Sequence, residues 1–236
     1  MKQQLSKKTR TESDLIGSRE VPESALYGVQ TLRGIENFRI SKFHLNEYPL
    51  FIQALAITKM GAAVANRELD LLTEEQADAI LKACKEILEG KHHDQFPVDM
   101  IQGGAGTTTN MNANEVIANR ALELMGHQRG EYQYCSPNDH VNRSQSTNDA
   151  YPTAIHIGLY YTHLKLVKHF EVLIESFRKK ATEFAHVIKM GRTQLEDAVP
   201  MTLGQTFNGF ASILRHEVKN LDFAAQDFLT VNMGAT

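Results

Sequence analysis

The chain has 236 residues, 42% hydrophobic and 22% charged, with a formal net charge of -3 and a pI of about 6.4. That length can bury a full core in one or two domains, and the near-neutral balance gives no electrostatic ground for nucleic acid or an anionic membrane as partner. No apolar run approaches the ~20 residues of a membrane span, no apolar stretch follows the basic start Lys2, Lys7, Lys8, Arg10, and the expected compartment is therefore the cytosol.

Taken in chain order, residues 1–12 read as a disordered tail. Residues 13–46 carry turn signals (Gly17, Pro22, Gly28, Gly34) between short apolar pieces and read as irregular, with a few short elements. Helices are expected from about Pro49, with Phe51, Leu55, Ala62 and Ala65 on one face. Thr73 and Gln76 have the spacing of a capping box. Ala77, Ile80, Leu81, Cys84, Ile87 and Leu88 follow at helical spacing up to Gly90. A third helix is expected over about Asn112 to Met125, stopped by Gly126.

The second half changes character. From Pro152 to about Ala185, Leu159, Leu166, Phe170, Leu173, Phe177, Ala181 and Phe184 recur at intervals that suit one long helix. Leu203, Phe207, Phe210, Leu214, Leu221, Ala225 and Phe228 do the same from Met201 to about Val231. Helices of roughly 30 residues are roughly 45 Å long, a length that points to a bundle shared between subunits. A domain boundary is expected near residue 146, dividing 1–146 from 147–236. Strand signals are sparse, so the class is all-α. The stretch Val231 to Thr236 reads as if cut inside a longer protein. Cys84 and Cys135, without CxxC spacing, read as reduced thiols.

Polar residues cluster at three places. Gln102-Gly103-Gly104-Ala105-Gly106-Thr107-Thr108-Thr109-Asn110 combines glycines, which allow close backbone approach, with hydroxyls just before a helix start, where free N–H groups attract anions. The glycines also fit a flexible loop with an ordinary cap, and the segment is neither a Walker A loop nor GxGxxG. Ser144-Gln145-Ser146-Thr147-Asn148-Asp149, before Pro152, exceeds what capping one helix requires; neutral donors there suit a carboxylate. Gly191-Arg192-Thr193-Gln194 lies in the link between the long helices, where a simple turn is the alternative. His92-His93-Asp94 looks metal-like, but adjacent histidines point in different directions. His156, His163 and His169 lack an acidic partner at ligand spacing, and Arg178-Lys179-Lys180 reads as a solvated helix face.

At the three polar segments the chain resembles the aspartase/fumarase superfamily of homotetrameric lyases, from about Asp14 to Thr236. His93-Asp94-Gln95-Phe96-Pro97-Val98-Asp99 leading into Gln102 to Thr107 is similar to the aspartate-acting members, as are Gly130-Glu131-Tyr132 and Ser136-Pro137-Asn138-Asp139-His140-Val141-Asn142. Fumarases usually carry serine in place of Ala105 and of Thr147, and many members carry histidine in place of Gln194. A glutamine excludes a side-chain base there, because an amide does not titrate in water.

The resemblance implies a small N-terminal helical domain followed by the first long helices of a central bundle, truncated. It implies elimination of ammonia from L-aspartate to give fumarate, with L-aspartate, fumarate and ammonium as small-molecule partners and a tetramer as assembly. The family's Gly-Ser-Ser loop, which supplies the base, is expected beyond Thr236, so no catalytic base is expected in this chain. Thr107, Ser146 and Thr147 would hold the β-carboxylate, Asn148 and Gln194 would orient the amino group, and Thr193 would support them. No organic cofactor and no metal site are implied, although a divalent cation activates some members. Two other functions stay open: a fumarase-type hydratase, against which Ala105, Thr147 and Gln194 argue, and a non-catalytic helical fragment or assembly protein.

Overall fold

The structure, a computed structural model, describes residues 8–234. The chain divides into two compact units. Residues up to Gly158 form one together with those from Val231, and Leu159–Thr230 form the other.

The first unit opens with an antiparallel hairpin, β1 (Thr9–Asp14) and β2 (Gly17–Pro22), in which Thr9 faces Pro22 and Asp14 faces Gly17. The expected tail is therefore corrected: residues 1–7 lie outside the described residues, while Thr9 to Glu12 are strand. The hairpin has no alternating apolar pattern because polar contacts hold it. Arg10 donates to the carbonyls of Pro22, Ala25 and Tyr27 at 2.8–3.0 Å, and Arg33 makes a two-pronged bond to Asp14 at 2.8 and 2.9 Å.

Helices also begin earlier than expected, with α1 (Val29–Asn37). No side chain caps α1 locally at Gly28. Its first amides are satisfied from a distance instead: Gly28, Gln30 and Thr31 donate to the carboxylate of Glu115, and Val29 donates to Glu12. Two buried carboxylates thus do the work that a local Ser or Asp does at most helix starts.

The core lies among α2 (Pro49–Glu68), α3 (Glu74–Leu88) and α4 (Thr107–Leu124). Ile52, Leu55, Ile80, Ile87, Val116, Ile117 and Leu122 are fully buried there. The expected face of α2 is displaced: Leu55 is buried, Phe51 and Ala62 are half-buried, and Ala65 is exposed. The buried positions are Ile52, Ala54, Leu55, Ala56, Thr58, Lys59, Ala63 and Asn66. The capping box of α3 forms as its spacing requires, with Gln76 N–H donating to Thr73 Oγ1 and Thr73 N–H to Gln76 Oε1, each at 3.2 Å. Helix α4 starts five residues before the expected Asn112, and Gly126 at φ 83° follows its end. A π-helical turn, Pro137–Val141, capped by Ser136, leads to the start of α5 (Thr147–Glu183).

The second unit contains the remainder of α5, a hairpin of β3 (Ile188–Thr193) and β4 (Glu196–Thr202), and α6 (Leu203–Ala225). The link between the long helices is thus a β-hairpin, and α6 is shorter than expected, giving way to a short 3-10 turn at Gln226–Leu229. Phe177 packs against Phe207 and Phe210 at ring distances of 6.0 and 5.6 Å. His163 pairs with Asp222 at 2.9 Å, so this histidine has an acidic partner that no local spacing reveals. Many apolar side chains of this unit are exposed, including Leu159, Leu164, Val172, Ile213 and Phe223. Across both units the fold is mostly helical, and no helix of the described residues is long and apolar enough to cross a membrane.

Candidate functional site

The glycine-rich segment ends where α4 begins. Gly104 and Gly106 have φ of 77° and 80°, a backbone region that side-chain-bearing residues rarely adopt. Gly106 is the residue before α4, and no side chain caps the helix there. Gln102 closes the turn from upstream. Its amide donates to the Thr109 hydroxyl at 2.8 Å, and its carbonyl accepts the Thr109 N–H at 2.9 Å. Asp99, almost fully buried, fixes the preceding loop through bonds from the Ile40, Ser41 and Ile101 N–H groups and the Ser41 hydroxyl at 2.7–2.8 Å. Those donors, led by the Ser41 hydroxyl, hold its carboxyl well below the ordinary carboxylate value.

Thr107, the first residue of α4, is exposed. A cleft of about 260 Å³ lies beside it, lined by Met100, Gln102, Gly104, Ala105, Gly106, Asn148, Tyr151 and Pro152. Two of the three polar segments therefore meet in one cleft, at the starts of α4 and α5. Helix starts present unpaired N–H groups and the positive end of the helix dipole, a natural setting for a carboxylate. Larger clefts of this unit, about 920, 680 and 430 Å³, touch the polar segments only at Thr108, Ser144 and Gln145 and include none of Thr107, Ser146, Thr147 and Asn148; the largest is lined by side chains such as Arg129 and Glu123 that are already ion-paired.

At the start of α5, the Asn148 N–H donates to Ser146 Oγ at 3.2 Å. Ser146 thus serves as an ordinary cap while keeping its own hydroxyl hydrogen. Thr147 Oγ1 accepts from Asn110 Nδ2 at 3.2 Å. Ser146 and Thr147 are half-buried and Asn148 is exposed. Pro152 has no N–H to give the Asn148 carbonyl four residues back; Asn232 Nδ2 donates to that carbonyl at 3.1 Å.

Thr193 and Gln194 belong to the second unit. Thr193 pairs with Glu196 at the end of the β3–β4 hairpin, and both are exposed. Gln194 and Leu195 form its tip, with φ of 50° and 66°, the backbone of a tight two-residue turn usually made by Asn-Gly. Gln194 therefore occupies a strained position on a solvent-facing tip.

Lys59 went unseen in the sequence; Asn110, Asn142 and Gln145 lay within segments legible there, but their convergence on it did not show. Lys59 donates to the side-chain oxygens of the other three at 2.7, 2.9 and 2.9 Å. Its signal was present at helical spacing, since Ile52, Leu55, Lys59, Ala63 and Asn66 mark one continuous stripe of α2. The other histidine candidates resolve into ordinary contacts: His92 pairs with Glu86 at 2.7 Å, and His93 with the Ile87 carbonyl at 2.8 Å.

A sequence model of the family described as "Lyase" matches residues 17–236. The chain is 56% identical over 233 residues to aspartate ammonia-lyase of Escherichia coli (strain K12), covering 98% of this chain and 49% of that protein. The crystal structure of fumarate lyase:delta crystallin from Brucella melitensis in native form superposes with a TM-score of 0.94 at 51% identity, over 97% of this chain and 53% of that one. A class II fumarase from Schistosoma mansoni matches with a TM-score of 0.90 at 36% identity, over 97% and 48% of the two chains. The chain spans about half the length of the curated relatives it matches.

Proposed function

Since this chain belongs to the lyase family, we propose that the whole protein is a C–N lyase that eliminates ammonia from L-aspartate, reversibly, to give fumarate. The observation that carries this reading is the cleft between the starts of α4 and α5, where the glycine-rich segment meets Asn148. The 56% identity to an aspartate ammonia-lyase, against 36% to the fumarase, favours ammonia over water as the leaving group.

The elimination removes a proton from the carbon next to the β-carboxylate. The electron pair left behind spreads into that carboxylate, and as it forms the double bond the C–N bond breaks and ammonia departs. The difficult species carries two negative charges on one carboxylate, so donors must already point where that charge develops. Thr107, Ser146 and Thr147 supply hydroxyls next to two helix starts for this purpose. Asn148 orients the amino group, and Gln194, supported by Thr193, is proposed for the same role from a neighbouring subunit of the assembly. The base is assigned to none of these residues. The reaction draws on no organic cofactor, and an activating divalent cation would be an addition to this chemistry, not a part of it.

A homotetramer in the cytosol completes the proposal. The exposed apolar residues of the second unit, Val172 at 68% and Phe223 at 82% exposure among them, support an assembly in which such surfaces are covered. Fumarate absorbance followed with aspartate, and separately with malate, tests the activity. Formation of fumarate from aspartate at a rate well above that from malate is expected; a faster malate reaction would replace the lyase reading by a hydratase.

A further inference from the structure

We propose that Lys59 and Asn110 are positioning residues that fix the hydroxyl of Thr147 as a hydrogen-bond donor toward the ligand; this rests on the reading of Thr147 as a carboxylate-binding residue. Lys59 is fully buried on α2. Its three hydrogen-bond partners are neutral, the oxygens of Asn110, Asn142 and Gln145. A buried cation without a carboxylate partner is costly to a fold. An apolar residue on this stripe of α2 would avoid that cost.

The geometry shows what the cation does. A lysine ammonium has three N–H donors and no acceptor, and three oxygens surround it. Each amide must therefore turn its oxygen toward Lys59 and its NH2 away. All three NH2 groups then donate onward into the segment that opens α5. Gln145 Nε2 donates to the Val141 and Arg143 carbonyls at 2.9 and 3.2 Å. Asn142 Nδ2 donates to the Gln145 carbonyl at 2.9 Å, and Asn110 Nδ2 donates both to Asn142 Oδ1 at 3.1 Å and to Thr147 Oγ1 at 3.2 Å. Burial pulls Lys59 down to about 7; only the ammonium form carries the three hydrogens that the oxygens accept.

The last link has a chemical consequence. A hydroxyl has one hydrogen and two lone pairs. Thr147 accepts from Asn110, so its hydrogen is free of that neighbour and available to an anion. Had the amide been reversed, Thr147 would donate to the Asn110 oxygen, and its lone pairs would face the anion instead. The direction of the Asn110 amide, whose oxygen is held by the buried Lys59 ammonium, thus decides whether Thr147 attracts or repels a carboxylate. Preorganised donors of this kind are worth most in a transition state, where they need not reorient.

Two substitutions at Asn110 separate this role from a merely structural one, assayed in the whole protein with aspartate as substrate. Asn110→Asp keeps an oxygen on Lys59 but replaces the donating NH2 by a second oxygen, which captures the Thr147 hydrogen. Asn110→Leu removes the partner of Lys59 but leaves Thr147 free to donate. Orientation requires Asn110→Asp to be the worse enzyme, with kcat lowered about 10–100-fold, while Asn110→Leu is the less stable protein. Thr147→Val should then cost less than about twofold in the Asn110→Asp background, against tenfold or more alone. Wild-type kcat in Asn110→Asp, or independent losses in the double variant, overturns the relay while leaving the lyase reading intact. A wild-type protein that makes no fumarate overturns that reading and the relay together.

Discussion

The ring of Tyr151 lies against the backbone of Gly106, so closely that a Cβ added at Gly106 would fall 2.4 Å from ring carbons. This contact sets the start of α4 against the first turn of α5 and forms one wall of the candidate cleft. It requires a residue with no side chain, at a φ that disfavours any other residue.

Gly106→Ala is therefore expected to destabilise the protein by about 2–4 kcal/mol, combining backbone strain with overpacking. Gly126, also at positive φ but with nothing within 4 Å of an added Cβ, isolates the backbone part, so Gly126→Ala should cost only about 1 kcal/mol. Denaturant unfolding of both variants measures the difference. Equal losses would show that Tyr151 yields to the added methyl and does not define the wall.

The Asp99 carboxylate gives the fold a defined acid sensitivity. Its folded pKa lies below the ordinary value of 3.8, so on acidification the unfolded chain takes up the proton first. The stabilisation is complete above that ordinary value and is lost as pH falls below it toward the folded value. Asp99→Asn should reduce stability at neutral pH and flatten its pH dependence between about 4 and 2. Thermal melting of both proteins across that range tests this, and parallel curves would remove Asp99 as the source.

Substitutions at the start of α5 test the assignment of the candidate cleft. In the whole protein, Ser146→Ala, Thr147→Val and Asn148→Ala should each lower turnover of aspartate by roughly ten- to a thousand-fold. Stability should fall by only about 1 kcal/mol at Ser146, the usual worth of a helix cap. Three variants with near wild-type turnover would remove the segment from the site.

Cys84 and Cys135 are both buried and free, and burial pushes each thiol up to about 12. Neither has thiolate character at neutral pH, so neither should react quickly with a disulfide reagent. Labelling with Ellman's reagent should proceed only on unfolding, when two thiols per chain become available. A fast native-state reaction would mean that the core opens readily, around α3 if at Cys84 and next to the Pro137–Val141 turn if at Cys135.

Local chemistry in the sequence was enough to place the elements whose stabilising contacts lie within a few residues. The α3 capping box needed only Thr73 and Gln76. The glycine stop after α4 needed only Gly126, and the apolar stripes of the long helices were legible from their own spacing. The polar runs at Gln102–Asn110 and Ser144–Asp149 could be marked because both held more hydrogen-bonding groups than one helix cap can use.

Tertiary structure decided what depends on partners far along the chain. Helix α1 has no local cap, and its amides end on Glu115, 84 to 87 positions away. The hairpin of β1 and β2 has no apolar alternation and is held by arginine and glutamate contacts. The carbonyl left unpaired by Pro152 is satisfied by Asn232, 84 residues from Asn148. Lys59 falls on the buried stripe of α2, but a charge can lie there only because oxygens 51, 83 and 86 residues away converge on it. A hydrogen bond has the same strength whether its partner is three residues away or eighty, but only the short separations leave a pattern in the sequence, and the fold alone brings the distant ones within reach.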